Sequence, residues 1–254
     1  MRQSNVGMIR RSVAIAAAAV ALLALAAQPA FAAEGYISME RPFELTGDRN
    51  HLRMDGRIVD SAPGSGINFG FNFGAHEGGS AQSVALFQNG TTLASRKMAF
   101  TGYGLYKGVS GPGCTYTPMT STFGILECDN EGYDWRTDRM YRMTVVRGAK
   151  NTNGWLWTVN LVDTKPNPVV VTKVVSFRSS FGLLSAQHSG AGVFSNQPNC
   201  NAIDRVEALF RKPVGAGSVV TWKAAKPPYK SGCTAAKATA TLLDNGVAKF
   251  VIGQ

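Results

Sequence analysis

Residues 67–74 read Ile-Asn-Phe-Gly-Phe-Asn-Phe-Gly, and the period of this stretch decides the fold. An apolar side chain stands at every second position, and a small or polar residue stands between each pair. Alternate side chains of a β-strand point to the same face, whereas helical geometry would scatter them around the axis. We therefore predict a strand that buries its apolar alternates together. These alternates are Ile67, Phe69, Phe71 and Phe73.

The same period recurs along the chain. Residues 141–145 and 155–161 alternate in the same way, with Trp155 and Trp157 on the apolar side of the second stretch. Residues 169–177 form an almost unbroken run of β-branched side chains, which is typical of a central strand buried on both faces. Strand patterns also occupy residues 219–222 and 247–252. The sequence therefore predicts an all-β protein.

Turn signals separate these strands. Asn89-Gly90 follows the apolar run 84–87 and precedes residues 91–93, which predicts a hairpin because Asn-Gly supplies the two positive φ angles of a type I′ turn. Only residues 202–210 have a spacing that fits either a strand or one short helix. Glycine and proline divide the rest of the chain at intervals typical of a sandwich or barrel. We predict an antiparallel β-sandwich.

The first 32 residues have the three parts of a secretory signal peptide. Basic residues come first, an apolar run follows over residues 13–27, and Ala30-Phe31-Ala32 supplies a cleavage site. The apolar run is shorter than the roughly 20 residues that span a bilayer. We predict export with cleavage after Ala32 and a single β-sandwich domain over residues 33–254. An uncleaved membrane anchor is the alternative for this segment.

The chain is basic, with 26 lysines and arginines against 16 acids and a formal charge of +10. These basic residues are scattered, and no run has the density of a nucleic-acid or membrane patch. We therefore predict no nucleic-acid binding. No segment after the first 32 residues is long and apolar enough to cross a membrane, so we also predict no membrane span. An exported basic protein meets acidic polysaccharides and other envelope polymers.

Four cysteines lie in the predicted mature domain, which suits two disulfides in an oxidising compartment. Nearest-neighbour pairing gives Cys114–Cys128 and Cys200–Cys233 among the three possible connectivities. The alternative, a zinc site, has weak support because no C-x-x-C spacing occurs and the three histidines lie far from the cysteines.

The acidic segment Glu127-Cys128-Asp129-Asn130-Glu131 is the most enzyme-like feature. In a strand, its three acids would share one face. That arrangement resembles the E-x-D-x-E strand of concanavalin-like β-glucanases. The resemblance implies that Glu127 is the nucleophile, Asp129 a helper and Glu131 the acid/base. However, the alternate residues are not bulky and apolar, and Asn130-Glu131-Gly132 also fits a turn.

The same segment offers oxygen ligands for calcium, although not in EF-hand order. The ligands would be Asp129, Asn130, Glu131 and Asp134. We otherwise predict no cofactor.

Aromatic and charged residues follow directly at Tyr133, Asp134, Trp135 and Arg136. An aromatic ring can cover the apolar face of a sugar while polar groups bond its hydroxyls. The sequence therefore predicts a glycan-binding loop here. Trp135 also fits a structural place in the core, since aromatic area usually goes into the core.

The block from Trp135 to Val145, with Gly154-Trp155, is similar to jelly-roll and concanavalin-like sandwiches. Cys200 and residues 209–213 (Leu-Phe-Arg-Lys-Pro) resemble a secreted bacterial domain-of-unknown-function family of the 3472 type. The resemblance implies a β-sandwich that often accompanies carbohydrate-binding modules, without an established activity. No nucleophile-elbow, phosphate-loop, dinucleotide-binding or H-E-x-x-H motif occurs.

We predict a secreted or periplasmic monomer that binds a polysaccharide or another cell-envelope glycan without catalysis. A glycoside hydrolase or polysaccharide lyase that uses Glu127 and Glu131 is the first alternative. A secreted protein-binding factor is the second.

Overall fold

The computed structural model describes residues 36–61, 66–74, 82–88, 96–110, 113–120, 124–131, 133–137, 139–165, 168–185, 189–196, 205–233 and 236–253. Within these ranges the chain forms strands and connections but no helix. The predicted signal peptide lies outside them. The strands are β1 Tyr36–Gly47, β2 His51–Ser61, β3 Gly66–Phe73, β4 Gln82–Gln88, β5 Arg96–Ser110, β6 Cys114–Pro118, β7 Gly124–Glu131, β8 Tyr141–Asn151, β9 Gly154–Asp163, β10 Val170–Ser179, β11 Ser189–Asn196, β12 Val206–Phe210, β13 Ser218–Trp222, β14 Tyr229–Ser231, β15 Ala238–Leu242 and β16 Ala248–Ile252.

The strands form two antiparallel sheets that pack face to face, so the predicted β-sandwich is confirmed. Sheet A has the order β1, β11, β3, β4, β5, β7 and β6, with β13 and β14 beside different parts of β1. Sheet B has the order β10, β9, β8, β2, β12, β16 and β15. The long strand β5 joins the sheets, since Tyr106 and Ser110 at its end pair with β10.

The alternating stretch that begins at Ile67 lies in β3, and its apolar side chains fill the core as predicted. Ile67, Phe69, Phe71 and Phe73 are all buried. The Phe69 ring contacts Phe210 of sheet B, with 6.3 Å between the centroids. Burial of each such side chain stabilises the fold by roughly 1.5–3 kcal/mol, so β3 is a main contact between the two layers.

The inward sets of β8 and β9 also agree with the sequence. Tyr141, Met143 and Val145 are buried on β8. On β9, Trp157 is buried with the two apolar alternates that follow it, and Trp155 is half-buried.

Strand β10 corrects the predicted central strand. Its second half, Val174 to Phe177, is buried, but Val169, Val170 and Val171 are 51%, 50% and 62% exposed. Strand β5 pairs with β10 only at Ser176 and Arg178. The first half of β10 therefore has a neighbouring strand, β9, along one edge only. Its exposed valines show that its two faces are not both covered.

The hairpin predicted at Asn89-Gly90, with residues 91–93 as its return, falls outside the described residues. On either side of residues 89–95, β4 and β5 are antiparallel neighbours, and Gln88 pairs with Arg96. The ambiguous segment 202–210 contains a strand, Val206–Phe210, since its alternate residues pair with β2 and β16 and are buried.

One predicted disulfide, Cys114–Cys128, is present, with 3.9 Å between the Cα atoms. It joins directly opposed residues of β6 and β7. Cys233 is buried and is also disulfide-bonded, but its predicted partner Cys200 lies outside the described residues. Over the described part of the chain, no helix has the length and apolar character that crossing a membrane requires.

Candidate functional site on the outer face of sheet A

Strand β7 carries the acidic segment on the surface of sheet A. The strand continues to Glu131, where it pairs with Lys97 of β5, so the turn expected at Asn130-Glu131 is wrong. Strand β5 pairs with this polar sequence up to Glu131, and β6 pairs with it up to Cys128. A turn motif in isolation lacks the β5 partner, and here tertiary pairing decides the local structure.

Glu127 and Asp129 of β7 share one face, as a strand requires. Leu126 and Cys128 are buried, whereas Glu127 and Asp129 are exposed. Sequence reasoning counted Cys128 against a strand because it is not bulky. The disulfide to Cys114 supplies part of the anchorage that a large apolar side chain would give.

The two exposed acids have different electrostatic surroundings. A carboxylate oxygen of Asp129 lies 3.2 Å from the Nζ of Lys97. Glu127 forms no ion pair or hydrogen bond with another described residue. It lies beside Tyr103, whose pKa is raised by burial and further by the Glu127 charge. Tyr103 is therefore protonated at neutral pH.

Small side chains form a row across the middle of this face. The register places Gly192, Gly70, Ala85 and Ala99 opposite one another on β11, β3, β4 and β5. A Cβ atom on Gly70 would lie 2.2 Å from the carbonyl oxygen of Val84, so a side chain there would displace the backbone of β4. None of the four residues in the row has a side chain larger than a methyl group, and we call the row the low floor of this face.

Polar side chains flank the small-residue row on one side, through Asn72, Ser83, Thr101 and Glu127 on successive strands. On the other side, the register alternates Asn68 and Lys97 with Phe194 and Phe87, whose side chains lie outside the described residues. The row itself ends in acids, Glu40 on β1 and Asp129 on β7. Amides, hydroxyls and carboxylates thus line one side and both ends of a floor without bulk.

The acids at the β1 end are neutralised. Glu40 lies 2.8 Å from Lys226, and Glu44 forms an ion pair with Lys223. Among the acidic side chains described on this face, Glu127 is therefore the one without a cationic partner. A ligand donor can approach it without displacing a lysine.

In the predicted glycan-binding loop, the two aromatic residues, Tyr133 and Trp135, pack against the core. Trp135 has no exposed area, and its ring lies 5.6 Å from that of Phe69. Because both of its faces are covered, it cannot stack on a sugar. Tyr133 is half-buried, and a hydrogen bond joins its side chain to Thr172.

Arg136 and Asp134 remain exposed in this loop and pair with each other, with 2.8 Å between Nη2 and Oδ2. That hydrogen bond is the main cause of the lowered pKa of Asp134. The backbone N–H of Arg136 also donates to the hydroxyl of Tyr141, at 2.7 Å. These contacts fix the loop to β8.

Arg96 is a residue of this region that sequence reasoning missed. It donates to the carbonyl oxygen of Trp135 at 2.5 Å and lies over the indole, 5.1 Å from the ring centroid. No local pattern marks it. By contrast, Asn68 and Asn72 are the polar alternates of the stretch 67–74. The alternation itself predicts that they lie on the outward face, so the sequence could have identified them as candidate binding residues.

The side chain of Glu131, one of the four predicted calcium ligands, lies outside the described residues. Within those residues, no group of three or more acidic, histidine or cysteine side chains is arranged to hold a metal ion. Asp129 and Asp134 instead contact Lys97 and Arg136.

Comparison with known proteins adds little to this geometry. No family model matches the sequence, and no curated protein matches it. Two solved structures of scytalido-glutamic peptidase, one with a transition state analog inhibitor and one with a peptide based transition state analog, are similar in fold. Their TM-scores are 0.46 and 0.45 at 8% identity, and each alignment covers 84% of this chain and 97% of the other.

Proposed function

We propose that this protein is exported and binds a glycan without catalysis on the outer face of sheet A. The observation that carries the proposal is Glu127, an exposed acid without an ionic partner, set among hydroxyl and amide side chains. The export signal pattern in residues 1–32 and the Cys114–Cys128 disulfide support an extracytoplasmic location.

The chemistry of the face suits sugar hydroxyls. A carboxylate accepts charge-assisted hydrogen bonds, which are stronger than neutral ones. The half-buried amides and hydroxyls beside it, Asn72, Ser83 and Thr101, both donate and accept. The glycine and alanine residues of the floor, with Ala85 and Ala99 each 8% exposed, place no bulky side chain beside these groups.

The dimensions favour a polymer over a single sugar. The small-residue row and its two acidic ends cross six neighbouring strands. Strands lie about 4.8 Å apart, so the row is roughly 24 Å long. Several sugar units can lie along it.

The charges favour binding over hydrolysis. Glycosidases need two carboxyl groups, one of which donates a proton. Asp129 is the next acid on the exposed face of β7, and its carboxylate lies 3.2 Å from the Nζ of Lys97. This ion pair occupies the carboxylate that would have to act together with Glu127.

Removal of the Glu127 charge is expected to weaken glycan binding by about tenfold or more, the value of one hydrogen bond to a charged group. A glycan array would identify the ligand, and calorimetry would compare the protein with Glu127→Gln. Asp244→Asn, on an exposed turn far along the chain, is the charge-matched control. Unchanged affinity in Glu127→Gln contradicts the proposal. Release of reducing ends that Glu127→Gln abolishes identifies a hydrolase instead.

A steric variant tests the floor independently of charge. Ala99 is 8% exposed on the outer face, between Ala85 and Asp129 in the row. Ala99→Leu is expected to abolish binding of the array ligand, because the added atoms occupy the floor. Because Ala99 is buried, a melting curve must first show that the variant is folded. Full affinity in a folded Ala99→Leu protein would place the glycan elsewhere.

A further inference from the structure

Four arginines gather on the opposite side of the sandwich, on the outer face of sheet B. We call this group the arginine cluster, and it surrounds a single acid, Asp55. Its members are Arg53, Arg57, Arg142 and Arg211.

Three neighbouring strands assemble the cluster. On β2, Met54 is buried and a Cβ at Gly56 would meet the Phe210 ring, so both face the core. Arg53, Asp55 and Arg57 are their alternates and share the outer face.

The other two arginines come from either side of Asp55. Arg142 on β8 stands directly opposite Asp55. On the other side, the backbone N–H of Arg211 donates to the carbonyl oxygen of Asp55 at 2.9 Å. Arg211 follows the buried Phe210, and its side chain is exposed. The four arginines thus occupy neighbouring positions on β2, on β8 and directly after β12.

One carboxylate does not neutralise this group. Asp55 is 4% exposed and accepts two hydrogen bonds from Arg142, at 2.9 and 3.1 Å. Arg53 lies 3.8 Å from it. The nearby Glu207 is occupied by its own two cations, Arg205 and Lys249, and Asp60 stands opposite Glu207.

Arg57 has a buried hydrogen-bond donor without an acceptor in the described part of the chain. Its Nε is buried and has no hydrogen-bond acceptor among the described residues. Neither Arg57 nor Arg211 forms a side-chain ion pair with a described acid. The excess positive charge is therefore concentrated on these two side chains.

We propose that the arginine cluster binds carboxylate groups of an acidic polysaccharide, such as a uronate polymer. The planar guanidinium matches a carboxylate in a two-bond geometry, and Arg142 already holds the Asp55 carboxylate in that way. The cluster lies on the other sheet from Glu127, so this site is separate from the proposed glycan face and does not depend on it.

The test uses polygalacturonate as the probe, measured by calorimetry at two salt concentrations. The double variant Arg57→Gln/Arg211→Gln is expected to lose about tenfold or more in affinity, since it removes two donors for charge-assisted bonds. These arginines are chosen because neither side chain holds Asp55. The control Lys150→Gln/Lys237→Gln removes the same charge from exposed positions elsewhere and should change affinity less than about twofold.

Three results would overturn the proposal. Equal losses in both double variants would mean general charge attraction. Polyphosphate, duplex DNA or phosphatidylglycerol vesicles that bind more tightly than polygalacturonate, with loss in the cluster variant, would assign the cluster to phosphate. No binding of polygalacturonate at low salt would also refute it.

The two sites can be distinguished in the same experiments. Glu127→Gln should leave polygalacturonate binding to the cluster intact, and the arginine double variant should leave binding of the array ligand intact. Melting curves of all variants exclude unfolding as the cause of a loss.

Discussion

Replacement of Trp135 with alanine is expected to lower the free energy of unfolding by about 4 kcal/mol. The indole has no exposed area, contacts Phe69 edge-on and lies under the guanidinium of Arg96. Its removal leaves a cavity between the loop and β3 and deprives Arg96 of its aromatic partner. Urea denaturation monitored by circular dichroism measures the change.

Arg136→Ala is the matched control for this prediction. Arg136 is the next residue, its side chain is half-exposed, and its ion pair with Asp134 lies at the surface. Such pairs contribute about 1 kcal/mol or less. If Trp135→Ala instead keeps its stability but loses glycan binding, the residue belongs to a binding site and its place in the core is wrong.

Removal of the Cys114–Cys128 disulfide is expected to cost about 3 kcal/mol of stability, the value for a loop of this length. The variant Cys114→Ala/Cys128→Val keeps an apolar group at the buried position. Strand β7 should loosen first, because β6 then holds it only through backbone pairing. Glycan affinity should also fall, since Glu127 loses its fixed position.

Hydrogen exchange measures the local part of this effect. Amides of β7 should exchange faster in the variant, while those of β3, in the centre of sheet A, should change only as far as global stability falls. Equal protection of β7 in both proteins would show that strand pairing alone holds the acidic segment.

The sandwich could be predicted because its strongest signals are local. Alternation in residues 67–74 needs only the chain itself, and burial of its four apolar side chains follows once a core exists. The same holds for Tyr141, Met143 and Val145. A strand with one buried face has an apolar residue at every second position, and this pattern is visible in its own sequence.

Other features depend on partners far away in sequence. Residues 169–171 are as β-branched as a central strand, yet β5 reaches only the second half of β10. Likewise, Asn130-Glu131 reads as a turn, but pairing with β5 keeps it extended. Neither outcome can be read from the residues concerned, because pairing and not propensity decides it.

The candidate site was predicted in part. The sequence marked the acids of β7, and Glu127 lies on the proposed face. It placed the aromatic contacts in the loop 133–136, where Trp135 serves the core. The floor of the face escaped notice because four small residues on four strands form a row only after the register is known.

The passage of β5 from one sheet to the other has a consequence for how the domain folds and unfolds. Its first residues pair with β4 and β7, and its end pairs with β10. Neither layer can therefore be completed while the other is open. We expect the domain to melt in one cooperative transition, and to fold slowly because many of its pairings, such as β1 with β11 and β2 with β12, join distant parts of the chain.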